Sequence, residues 1–232
     1  MSWRTPRTWL RSVLQLAPSE RASATISLSR DQPIENSTTA IDLIAKEQLS
    51  IAQRLPEYLD EVREETRGAS PTDARALHNS TVAALKEVEG FTERLSARDL
   101  NPSRSLELSR LAERSDLLRS LSDSVCELTE TMRPGHSGPL GMLTGNIAEG
   151  LHAVLLAAAD AMANPDEANL ELLHQMTADR GELMEAIRRS LLRGEQTLTI
   201  DEHQALFTST RLFERIIRLL RRLHAVEAAS TR

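Results

Sequence analysis

The chain has 232 residues, a net charge of −6 and a pI near 5.6, with 40% hydrophobic, 27% charged and only 3% aromatic residues. That length can bury a sizeable core in one large or two small domains, and the acidic balance argues against nucleic-acid binding. One cysteine, Cys126, leaves no intramolecular disulfide and suits a reducing compartment, while the absence of an unbroken run of about 18 apolar residues predicts no membrane span.

The first stretch, "MSWRTPRTWLRSVLQLAP", holds both tryptophans, Trp3 and Trp9, and the arginines Arg4, Arg7 and Arg11, with no acid before Glu20. It lacks the long apolar core and small-residue cleavage site of a secretory signal. Trp9, Leu10, Val13 and Leu14 form a short apolar stripe beside Arg7 and Arg11, a pattern that suits a membrane surface or a partner helix. Residues 18 to 36 are polar and without period, and read as a linker that runs into an N-cap near Ser37.

From there apolar residues recur at helical spacing. Ile41, Ile44, Ile51, Leu55, Leu59 and Val62 mark the first helix, and Gly68, Ser70 and Pro71 its end. Leu77, Thr81, Leu85, Val88, Phe91 and Leu95 mark the second. "RDLNPSRS" is a turn with Ser103 as the expected N-cap, and Leu111, Leu118, Leu121, Val125 and Leu128 mark the third helix. "RPGHSGPLG", residues 133–141, carries three glycines and two prolines and is the strongest break. Beyond it Leu143, Ile147, Leu151, Val154, Ala158 and Met162 form a fourth helix, ended by "ANPDE". Leu173, Met176, Leu183, Ile187 and Leu191 form a fifth. "GEQTLTIDE" turns the chain again, and Thr199 with Glu202 has capping-box spacing at the head of the last helix.

The expected fold is therefore all-α. Short turns force sequential helices to alternate in direction, so the expected architecture is two three-helix up-down bundles, 37–132 and 142–228, preceded by a basic segment and linker at 1–36 and joined by a Gly/Pro linker at 133–141. The halves resemble an internal repeat. With Asp116 set opposite Arg218, Leu111, Leu117, Leu118 and Leu121 fall opposite Phe213, Leu219, Leu220 and Leu223.

Catalytic chemistry has no constellation to support it. No phosphate-cradling loop or nucleophile elbow is present, and none of His78, His136, His152, His174, His203 and His224 forms an HxxxH pair. The chain therefore reads as a non-enzyme without a cofactor. Cys126 reads as a packed thiol. Two charged features remain. In "EYLDEVREE", Glu57, Glu61 and Glu64 share a helix face with Asp60 beside them, an arrangement that can hold a hard cation but more often faces water. In "RLFERIIRLLRR", Arg211, Arg215, Arg218 and Arg222 lie within roughly 60° of one another on a helix, opposite Phe213, Ile216, Ile217 and Leu220. Guanidinium groups suit phosphate or carboxylate geometry, so this row is a candidate docking or anion contact. The plain alternative is a wet surface with Glu214 paired to Arg218 one turn on.

The segment "DRGELMEAIRRSLLRGEQTLTIDEHQALFTSTRLFERIIRLLRRL" resembles the last two helices of a PhoU-like domain, as found in the tail of bacterial sodium/phosphate cotransporter proteins. Glu214, Arg215 and Ile216 match the family's "ERI". "RLAERSD" places Asp116 at the matching position of the first half, or, shifted by one, Glu113 and Arg114 at the family's Glu and Arg, and "SRDQPIENSTTAIDLIAKEQ" is similar to the approach to the family's first helix. The resemblance implies two pseudo-repeated three-helix bundles and a regulatory role in phosphate uptake. Its implied partner is a membrane transporter part or a regulatory protein at the inner face of the cell membrane, with a homo-oligomer open. Family members pair Glu and Asp one turn apart at metal clusters. Here both pairs are broken: Ala112 stands where the Glu before Asp116 belongs, and Arg218 where the Asp after Glu214 belongs. No metal is expected at Asp116 or Glu214. The rival reading is a helical interaction scaffold unrelated to phosphate.

Overall fold

The computed structural model describes residues 37–65, 74–133, 138–178, 181–193 and 198–230, all within one compact unit, Pro33–Arg232. Those residues form helices and turns: α1 (Ser37–Arg54), α2 (Glu57–Glu65), α3 (Ala74–Ser96), α4 (Pro102–Met132), α5 (Gly138–Ala163), α6 (Glu167–Met176), α7 (Gly181–Arg193) and α8 (Ile200–Ser230). The all-α expectation holds. The linker at 18–36 lies outside the described residues.

The first and fifth expected helices are each broken in two. At Leu55–Pro56 the proline has no N–H to give Ala52, and the ladder tightens: Leu55 N–H donates to the Ala52 carbonyl (3.2 Å) and Leu59 N–H to that of Pro56 (3.1 Å). The apolar period continues across this kink, which is why it reads as one helix in the sequence. The second break follows Met176. Thr177 turns its hydroxyl back onto the Leu173 carbonyl (2.8 Å) and closes α6.

Boundaries also shift. Asn101, not Ser103, caps α4, because its side chain accepts from the Arg104 N–H (2.9 Å) while Pro102 takes the first helical position, where its missing N–H costs nothing. α5 starts at Gly138, inside the segment expected to be linker. Gly138 adopts φ 63°, open to glycine, and Pro139 follows. The capping box at α8 forms as expected: Thr199 N–H donates to Glu202 (2.8 Å), and the Glu202 N–H to the Thr199 hydroxyl (3.2 Å).

Side-chain bonds fix the directions of the helices. Arg104 reaches Thr38 (2.5 Å), Gln48 reaches Ser115 (2.7 Å) and Tyr58 meets Ser122 (3.0 Å), so α1 and α2 run parallel to α4. Arg75 meets Glu130 (2.9 Å) while Arg119 meets Glu89 (3.1 Å), so α3 runs antiparallel to α4. Residues 37–132 therefore go up, down and up. Arg221 with Thr177 and Arg188 with Glu214 set α6 and α7 antiparallel to α8. Across the halves, α4 packs along α8 and α1 against α5.

A single apolar core runs through both halves. Ile51, Leu55, Leu59, Leu85, Leu118, Leu121, Leu151, Leu206, Ile216 and Leu220 belong to it. Two of the buried hydroxyls are satisfied within their own helices: Thr129 bonds the Val125 carbonyl (3.0 Å) and Thr210 that of Leu206 (2.8 Å). Among the described residues α5 is long and apolar enough to cross a membrane, which amends the expectation that no segment passes that test, but over half of that stretch is buried inside the bundle. Its apolarity serves the core on the buried side, while Met142, Ala153 and Leu156 stay exposed on the other.

Candidate functional site

The row of arginines lies on α8, whose opposite face is core. Phe213, Ile216, Ile217 and Leu220 are buried, and Arg211, Arg215, Arg218 and Arg222 are exposed. The period of 3.6 thus separates the two chemistries on one helix. Arg222 faces Glu113 of α4 at 3.5 Å, with both side chains exposed. Arg211, Arg215 and Arg218 have no partner among the described residues. The expected Glu214–Arg218 pair does not form. Glu214 is instead bound by Arg188 of α7, which also lies near Glu185. The row is therefore less neutralised by its own chain than the sequence suggests. A fixed line of guanidinium groups on a rigid helix can dock against phosphate or carboxylate groups.

Asp116 is exposed on α4, and Ala112 one turn before it is exposed as well. Among the described residues no group of three His, Cys, Asp or Glu side chains is placed to hold a metal. Glu214, engaged by Arg188, already spends its charge on a fixed cation.

Part of the acidic run on α2 is tied up in charge pairs. Arg63 donates to Asp60 (2.8 Å) and to Glu149 of α5 (3.0 Å), and His152 lies 3.7 Å from Asp60. The Glu149 hydrogen bond is the main cause that holds Arg63 even more firmly protonated than usual. The side chains of Glu61, Glu64 and Glu65 lie outside the described residues, as do Trp3, Trp9, Arg4, Arg7 and Arg11.

A second polar locus was not legible from spacing. The buried Tyr58 hydroxyl meets the Ser122 hydroxyl, which lies 2.9 Å from Nδ1 of His78, and Nε2 of His78 is 3.7 Å from Asp123. Beside it an open depression of about 380 Å³ between α3 and α4 is lined by Arg75, His78, Asn79, Asp123, Cys126, Glu127 and Glu130. Cys126 thus does approach a histidine, but only through the fold. Its chemistry is quiet: burial, and then Glu130, pushes the thiol up and away from thiolate. Burial likewise raises the Tyr58 phenol. Ser122 is buried completely and cannot meet a substrate. The locus acts as a polar tie between α2, α3 and α4.

No protein-family description, curated protein or solved structure matches the chain.

Proposed function

We propose that this chain is a non-catalytic helical docking domain of the PhoU-like kind, acting in the regulation of phosphate uptake at the inner face of the cell membrane. The observation that carries the docking role is the open arginine row: Arg211, Arg215 and Arg218 stand exposed on a helix whose other face is locked into the core. Such a row meets an anionic partner surface without rearrangement. The phosphate-uptake assignment rests on the residue resemblance at Glu214–Ile216 and Asp116. It draws further support from the way the first helix of one half packs on the first of the other, α1 on α5, and the third on the third, α4 on α8.

The second reading is a helical interaction scaffold with no tie to phosphate. Arg218 favours it, because a fixed cation stands where the family carries an acid. Radiolabelled phosphate uptake by cells lacking the coding sequence separates the two. Altered uptake that returns with the wild-type chain, but not with the Arg215→Glu/Arg218→Glu variant, is the expected result. Unchanged uptake in both phosphate-rich and phosphate-starved cells would sink the phosphate role and leave the scaffold.

A further inference from the structure

His174 on the last turn of α6 and His224 on α8 bring their rings together, with centroids 5.3 Å apart and planes tilted by 43°. The approach is held in place. Arg221, one turn before His224, donates to the Thr177 carbonyl (3.1 Å), just past His174 on the other helix. At its far end α6 is capped by Asp166, which accepts from the Asn169 N–H (2.8 Å). His174 is exposed and His224 is partly so, and both are reachable from solvent.

Two imidazoles that share one metal ion through nitrogens at about 2.0–2.1 Å, at a tetrahedral angle, place their ring centroids about 5 Å apart. The observed centroid separation of 5.3 Å matches that spacing. We propose that His174 and His224 form a two-histidine site for a divalent transition metal of the zinc, nickel or copper class, bridging α6 and α8.

The donor chemistry sets the selectivity. Imidazole suits zinc, nickel and copper, whereas magnesium and calcium prefer oxygen ligands. Burial, followed by the neighbouring His174, lowers the pKa of His224; each ring would bind a metal through a neutral imidazole nitrogen. Glu171, one turn before His174, acts on His224 in the opposite sense and adds favourable negative charge. Its carboxylate accepts from Gln175 (2.7 Å). No third His, Cys, Asp or Glu completes a set of three among the described residues, so water fills the remaining coordination positions. The site is an open clip across two helices, distinct from the degenerate positions Asp116 and Glu214.

The test is calorimetric titration of the full chain, freed of metal with a chelator and then dialysed, with zinc chloride, nickel chloride and magnesium chloride at neutral pH. About one equivalent of zinc or nickel should bind and raise the unfolding temperature by mass action, with no response to magnesium. His174→Ala and His224→Gln should each weaken zinc binding by at least about ten-fold. Circular dichroism of each variant shows whether it is folded, and the exposed position of His174 makes that variant the safer one. Absence of zinc and nickel binding by the wild type would overturn the proposal. So would binding of unchanged strength in folded His174→Ala, which would put the metal on other residues.

Discussion

Glu214 is held by Arg188 from the neighbouring helix α7, and not by Arg218 one turn along its own helix. The carboxylate that seemed ready to neutralise the arginine row is spent on fastening α7 to α8. Arg218 is left facing solvent, and its removal should cost the fold almost nothing. Arg218→Ala is expected to change unfolding free energy by no more than about 0.5 kcal/mol. Phe213, five residues before it and buried against the core, should behave oppositely, with Phe213→Ala costing about 3 kcal/mol or more. Chemical denaturation of the two variants beside the wild type checks both. A Phe213→Ala chain as stable as wild type would refute the packing of α8.

Arg114 on α4 and Glu227 on α8 make a charge pair at 2.6 Å, with side chains 12% and 1% exposed. Arg114 Nε and Glu227 Oε1 find no partner, so the pair is incompletely satisfied. Deleting one member strands the other charge. Arg114→Ala should therefore cost about 3–5 kcal/mol, while the double replacement Arg114→Met/Glu227→Leu should be near neutral or stabilising. A small loss in the single variant would show that water reaches Glu227.

Glu47 is buried on α1 and has no hydrogen-bond partner among the described residues. Burial raises its pKa, Arg54 opposes this, and Glu87 adds to it. A carboxyl whose folded pKa lies above its unfolded value favours the fold when protonated. Its contribution is present below the unfolded pKa and is lost as pH rises through the folded one. Glu47→Gln should accordingly be more stable than wild type at neutral pH, with the advantage shrinking on acidification toward the unfolded carboxyl range. Unfolding curves at several pH values read this directly, and a constant difference across pH would reject it.

Cys126 should resist alkylation. It is 6% exposed, and burial holds its thiol above the normal range. Iodoacetamide should label the native chain far more slowly than the urea-unfolded chain. Equal rates would mean that the depression beside His78 opens more widely than its walls suggest.

Periodicity made the helix faces legible, because burial of Ile44, Leu85, Leu118, Leu151 and Ile216 follows from spacing alone. The breaks were less legible. Pro56 sits inside an unbroken apolar period, and Thr177 ends α6 by a hydroxyl turned on its own helix, a habit that threonine shows mid-helix as well. In "NPSRS" either Asn101 or Ser103 can cap by composition, and only the first-turn position of Pro102 decides. The exposed side of α8 that carries Arg211, Arg215, Arg218 and Arg222 follows from the same spacing, whereas its neighbourhood does not. Arg188–Glu214, Tyr58–Ser122–His78 and His174–His224 join residues far apart in the chain, whose meeting depends on helix register in space.

The break after Met176 separates α7 from the stem of α6, and α7 then makes its main packing with α8. Met184 is buried there, and Arg188 supplies the clasp to Glu214. A short helix moored on one side opens independently of the bundle, as a small cooperative unit of its own. Its backbone amides should therefore exchange with deuterium well before those of α4 and α8. Arg188→Ala should hasten that exchange within 181–193 and leave the midpoint of global unfolding nearly where it was. The bundle would thus carry a terrace of lower stability beside its most rigid helix, at the place where Thr177 lets the chain change direction.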